Sequence, residues 1–175
     1  MRRILIDEKK MNPAECSFGF PWHHDATCYN FDMPNESIVA SEIDEIKKKD
    51  NIETLVIGCD LDDYGFLMDL CNLRQLYIYS GSNIHNLNFV RNLSKLRQLY
   101  ITNSHVESLE PVVDLVKVRK GLYDSEEDVE KRLFLSIEGI CIDSDCELDG
   151  SSLVAFDGFV SEILINRKRI RRKHK

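Results

Sequence analysis

The densest set of metal-capable side chains lies near the start of the chain, where Cys16, His23, His24 and Cys28 fall close together. Tetrahedral zinc sites are built from thiolates and imidazoles of this kind, but they draw their ligands in close pairs such as C-x-x-C or H-x-x-x-H. This spacing contains neither pair, so the segment reads as a loop with unlinked cysteines and histidines, and no metal is assigned to it. A second candidate is Asp143-Ser144-Asp145-Cys146-Glu147-Leu148-Asp149-Gly150. A calcium loop needs glycine at its sixth position and glutamate at its twelfth. Leu148 and Val154 stand there, and the stretch reads as a polar turn. Asp60, Asp62 and Asp63 could pair for acid–base work, yet in this setting they read as a solvated turn.

Nucleophilic chemistry finds no frame either. The chain lacks a G-x-S-x-G elbow, a G-x-x-x-x-G-K-[ST] phosphate loop and an H-E-x-x-H pair. His85 and His105 recur in comparable positions, but no nucleophile has a readable relation to them. The chain is therefore expected to be non-catalytic and to need no cofactor.

Charge is unevenly divided. Arg167 to Lys175 carry seven positive charges, which leaves about −14 on the preceding residues against −7 overall. A basic end could bind phosphates, but it has no interleaved aromatics and follows an acidic body. It reads as a solvated end or one that folds back on that body, which argues against nucleic acid. Two alternatives stay open: a zinc-dependent protein using Cys16, His23, His24 and Cys28, and a nucleic-acid binder using the tail.

With 175 residues, 43% of them apolar, the chain suffices for one domain with a sizeable core. Arg3 to Asp7 encloses an apolar run too short for a signal-peptide core, and no stretch nears the roughly 20 apolar residues that span a bilayer. A cytoplasmic protein without membrane contact is expected, its six cysteines reduced.

The elements that must position any site repeat. Leu73-Arg74-Gln75-Leu76-Tyr77-Ile78 recurs unchanged as Leu96-Arg97-Gln98-Leu99-Tyr100-Ile101. Apolar residues three apart follow each copy: Ile84, Leu87, Val90, Leu93, then Val106, Leu109, Val112, Leu115. Ile52, Leu55 and Ile57 begin an earlier copy, followed by Leu61, Tyr64, Leu67 and Leu70. Ala40, Ile43 and Ile46 keep the phase one unit before that, and Cys28, Phe31 and Met33 could form a still earlier strand. Alternation puts Leu76 and Ile78 on one face of a strand and Gln75, Tyr77 and Tyr79 on the other. The three-spaced rows suit 3₁₀ or helical returns.

This pattern resembles the leucine-rich repeat family, whose unit reads L-x-x-L-x-L-x-x-N-x-L, over roughly residues 28–118 and most clearly 52–117. The family's asparagine would fall near Gly81 and at Ser104, where this chain does not match it; Asn83 and Asn103 are adjacent but out of register. The resemblance implies an α/β fold: a short solenoid with parallel strands on one face and helices or 3₁₀ turns on the other. Residues 1–27 would cap its start, 28–118 form the repeats, 119–165 cap its end and 166–175 make a basic tail. A helix is expected over about 38–49 and a short one over about 125–132. Leu133 to Ile142 should be a strand with Leu133, Leu135 and Ile137 inward, and Ser151 to Ile165 a capping helix, with a strand as its alternative.

On this frame the outward residues Thr54, Val56, Gln75, Tyr77, Tyr79, Gln98, Tyr100 and Thr102 should form a solvent-facing grid. Tyrosine serves interfaces well, with large apolar area, a polar tip and little entropy to lose. The expected role is a protein–protein interaction module that grips an unidentified partner through this face. An acidic inhibitor of an enzyme, such as an immunity-type partner of a toxin, is the variant reading.

Overall fold

The computed structural model of the protein describes residues 2–15, 33–47, 51–156 and 158–170. Its strands are β1 (Arg2–Asp7), β2 (Glu36–Val39), β3 (Ile52–Ile57), β4 (Gln75–Ile78), β5 (Gln98–Ser104), β6 (Ile137–Ser144), β7 (Val160–Ile165) and β8 (Lys168–Arg169). Its helices are α1 (Asp44–Lys47), α2 (Glu110–Ser125) and α3 (Val129–Leu135). The strands form one sheet in the order β2-β1-β3-β4-β5-β6-β7-β8. Every neighbouring pair is parallel except β7 with β8.

A tripeptide of aliphatic residue, variable residue and isoleucine sets the register. In parallel alignment its first members form the row Ile4, Leu55, Leu76, Leu99, Ile140, Ile163. Its last members form the row Ile6, Ile57, Ile78, Ile101, Ile142, Ile165, with Ile38 of β2 beside Ile6. All of these except Ile38 are at most 2% exposed. Burying each contributes about 1.5–3 kcal/mol, so these two rows dominate the stability of the sheet. β-branched isoleucine also suits a pleated surface.

The return legs pack on that face as their spacing predicts. Leu61, Tyr64, Leu67 and Leu70, then Ile84, Leu87, Val90 and Leu93, then Val106, Leu109, Val112 and Leu115 all belong to the core. Residues three apart eclipse in a three-residue turn, and 3₁₀ segments do form at Gly65–Asp69 and Asn88–Asn92. Side chains also tie neighbouring strands together. Asn83 Nδ2 donates to the Leu61 carbonyl at 3.0 Å and Asn103 Nδ2 to that of Tyr79 at 3.0 Å. Ser104 Oγ donates to the Asp143 carbonyl at 2.9 Å. Asn83, Asn103 and Ser104 thus each bond the backbone of an adjacent segment.

Several expectations need correction. Within the expected N-terminal cap, β1 (Arg2–Asp7) is an interior strand between β2 and β3, while residues 16–27 lie outside the described residues. Of the early strand expected at Cys28, Phe31 and Met33, only Met33 lies within the described residues, and it is exposed outside any strand. The helix expected over 38–49 is instead β2, a 3₁₀ turn at Ala40–Glu42 and the four-residue α1. Ile38 gains more by completing the isoleucine row than a helix could offer it.

Past the repeats, α2 runs through Gly121 to Ser125. The cap of α3 is Asp128, which accepts the Glu130 and Lys131 amides, rather than Ser125. Leu133 to Leu135 end α3, so the strand begins only at Ile137 and the predicted inward side of Leu133 fails. Ser151–Phe156 is a 3₁₀ segment and Val160–Ile165 the strand β7, not a capping helix. Gly158, at φ +94°, stands where a helix would have to continue. Over its described part the tail folds back: Asn166 and Arg167, both at positive φ, turn the chain into β8.

Candidate functional site

The face of the sheet opposite the core carries a row formed by Leu5, Val56, Tyr77, Tyr100, Cys141 and Leu164 in register. Beside it run Thr54, Gln75 and Gln98. Alternation therefore puts the grid on the right side of the sheet, but the expected solvent exposure does not hold. Thr54, Val56, Gln75, Tyr77, Gln98 and Tyr100 are at most 8% exposed. Only Tyr79, just past β4, and Thr102, in the last half of β5, are partly open. Strand periodicity tells which face a side chain takes; it does not tell what lies over that face.

Burial forces the polar members to satisfy one another. Thr54 Oγ1 donates to Gln75 Oε1 at 3.2 Å. The Tyr77 hydroxyl donates to Gln98 Oε1, and Gln98 Nε2 donates to Glu138 Oε2. Glu138 also pairs with Arg97 at 2.5 Å. A continuous chain of polar contacts thus links β4, β5 and the start of β6. The ring of Tyr100 packs against those of Tyr77 and Tyr79, at centroid distances of 6.1 and 5.2 Å. At the open end, the Tyr79 carbonyl accepts from both Thr102 Oγ1 and Asn103 Nδ2, each at 3.0 Å. Asn103 takes φ +51°, a conformation asparagine tolerates better than most residues.

The thiol and phenols of this face are held in their neutral forms. Burial pushes the Cys141 thiol up to about 12, with Asp143 and Glu162 adding to it. Burial likewise raises the hydroxyls of Tyr79 and Tyr100. What stays accessible on this face is part of the side chains of Tyr79 and Thr102 at its open end.

The other candidates do not converge. Cys16, His23, His24 and Cys28 lie outside the described residues, and no cluster able to hold a metal ion occurs among the described ones. In the 143–150 stretch, Asp143 pairs with Arg167, Asp145 with His105, and Asp149 accepts from Ser151. Three carboxylates turned to three different partners do not make a calcium cage. Asp63 accepts the Gly65 amide at 2.7 Å within its own turn, and Asp60 accepts the Ser82 amide at 2.9 Å from the loop of the next strand. His85 and His105 stack with centroids 5.6 Å apart. In the tail, Arg167 and Arg169 pair with Asp143 and Glu162, as expected of an end folded back on acidic neighbours.

One surface has no counterpart in the expectations drawn from sequence. Val118, Leu122, Val129, Leu133 and Phe134 are between 51% and 70% exposed on α2 and α3. The i, i+4 pairs Val118/Leu122 and Val129/Leu133 are the signal that points to it. The strand-like composition of Leu133 to Ile142 masks that signal.

No helix among the described residues is long and apolar enough to cross a membrane. Comparison with protein-family models, curated proteins and solved structures finds no match to this chain.

Proposed function

We propose that the chain is a non-catalytic protein-binding module of the cytoplasm, a short solenoid of the leucine-rich-repeat kind. Supporting the solenoid reading is the register of β3, β4 and β5, in which β4 and β5 stack identical residues and β3 continues their leucine and isoleucine rows with Leu55 and Ile57. The contact with the partner centres on Tyr79 and Thr102. The observation that carries this is their position: they stay partly open while Thr54, Val56, Gln75, Tyr77, Gln98 and Tyr100 form a closed base beneath them. A partner would meet an aromatic ring whose backbone is pinned by two hydrogen bonds, so little entropy is lost on binding. The acidic balance of the chain favours a basic partner.

The test is a photo-crosslinking residue installed at position 79, compared with one at Met68 on a return leg. A single defined adduct from position 79, lost on Thr102→Arg, supports the reading. Adducts from position 68 alone would overturn it.

A further inference from the structure

We infer, resting on the contact surface proposed above, that the partner protein inserts an arginine side chain beside Gly58, between Asp7 and Tyr79. One residue past the isoleucine row stand Asp7, Gly58, Tyr79, Thr102 and Asp143 on β1, β3, β4, β5 and β6 or just beyond them. Alternation turns this row to the same face as Tyr77 and Tyr100. Gly58 alone brings no side chain to it, and its backbone is exposed. A Cβ added there would stand 2.7 Å from Asp7 Oδ2, so the carboxylate leans toward β3 into space that only glycine leaves open. Asp7 and Tyr79 are two strand spacings apart, roughly 10 Å.

The two carboxylates of the row differ in what they hold. Asp143 pairs with the chain's own Arg167 at 2.8 Å. Asp7 and the exposed Glu8 make no ion pair among the described residues, although Lys9 and Lys10 follow directly. Asp7 Oδ1 accepts the Glu8 amide at 2.7 Å, which orients the carboxylate and puts Oδ2 at Gly58. The local field is negative. Burial raises the Cys59 thiol to about 11, and the charges of Asp7, Glu8 and Asp60 add to the rise. A cation is therefore favoured at the β1–β3 side of the row and already supplied at the β6 side. Arginine fits better than lysine, because a planar guanidinium can lie on a tyrosine ring while it donates to a carboxylate.

Amide NMR of the isotope-labelled full chain tests this by titration with acetyl-arginine amide, against acetyl-citrulline amide as its uncharged match. The arginine compound should shift the Gly58 and Tyr79 amides. It should bind about threefold tighter or more than the citrulline one, the scale of an exposed ion pair with a cation–π contact. Asp7→Asn should abolish that preference with the thermal melt unchanged. Gly58→Ala should reduce it too, because the new Cβ displaces the Asp7 carboxylate. Should Gly58→Ala fail to fold, Asp7→Asn, which keeps the shape of the side chain, decides alone. Equal affinity for the two compounds, or a preference indifferent to Asp7→Asn, overturns the inference. The crosslink at position 79 separates the two levels. An adduct that persists undiminished in Asp7→Asn refutes the arginine site alone, whereas no adduct from position 79 refutes the contact surface itself.

Discussion

The hydroxyl of Tyr77 donates to Oε1 of Gln98 across the β4–β5 pair, with both side chains at most 1% exposed. Two polar groups shut away from water hold each other, and the amide of the same glutamine reaches on to Glu138. The face that alternation alone would leave as a wet grid is therefore partly structural. The consequences differ sharply from those of exposed tyrosines.

An exposed Tyr77 would tolerate alanine with no change in melting. Buried, Tyr77→Ala should cost about 3–5 kcal/mol, the range for large aromatic truncations. Tyr77→Phe should cost about 1–3 kcal/mol by stranding Gln98 Oε1 without its donor. Pairing Tyr77→Phe with Gln98→Leu should cost less than the two single changes together, because neither partner of the Tyr77–Gln98 bond is then left orphaned. Urea denaturation of the four proteins measures this, and strict additivity would refute the coupling.

Arg119 is the buried ion of the helical side. It is 2% exposed and donates to the carbonyls of Leu135, at 2.7 Å and 2.9 Å, of Phe134 at 2.8 Å, and of Ser94. The carbonyls of Phe134 and Leu135 sit at the C-terminal end of α3, where unsatisfied acceptors and the negative helix pole both favour a cation. Burial pulls the guanidinium down to about 10, with Arg97 contributing. Arg119→Met should destabilise by about 1.5–3 kcal/mol, the worth of bonds to a charged donor. Hydrogen exchange should show α3 amides losing protection before those of β4. Lysine should not rescue, since a point charge cannot bridge several carbonyls as a planar fork does.

How much of this is legible in the chain follows from which signals repeat. The duplicated hexapeptide by itself implies the pairing of Leu76 with Leu99 and Tyr77 with Tyr100 that β4 and β5 adopt. The rows of residues three apart identify the return legs. β1, β6 and β7 carry the same aliphatic-x-isoleucine tripeptide, as Ile4-Leu5-Ile6, Ile140-Cys141-Ile142 and Ile163-Leu164-Ile165. Periodicity does not join them to the array, because no three-spaced row follows them at the repeat distance. Helix or strand at 151–165 turns on Gly158, whose positive φ is a property of the backbone rather than of hydrophobic spacing. Burial of Tyr77 and Tyr100 is invisible for a different reason: it depends on what covers a face, which periodicity does not encode.

Buried thiols and phenols make stability fall in alkali. Burial raises Cys59 from 9.0 to about 11, Cys141 from 9.0 to about 12 and Tyr64 from 10.0 to about 12. A folded-state value above the unfolded one means that only the unfolded chain ionises in the interval between them. Stability from these groups is thus intact below about pH 9 and lost progressively as pH rises toward 11–12. Thermal melts at stepped pH should decline over that window, and the tyrosinate absorbance of Tyr64 should emerge with unfolding rather than before it. Since the thiolate is the reactive form, iodoacetamide near neutral pH should alkylate the exposed Cys71 while sparing Cys59 and Cys141 until denaturant is added. Rapid labelling of Cys141 in the native protein, mapped by mass spectrometry, would mean that the row shared by Tyr77 and Tyr100 opens to water, which would return those two tyrosines to the accessible part of the face.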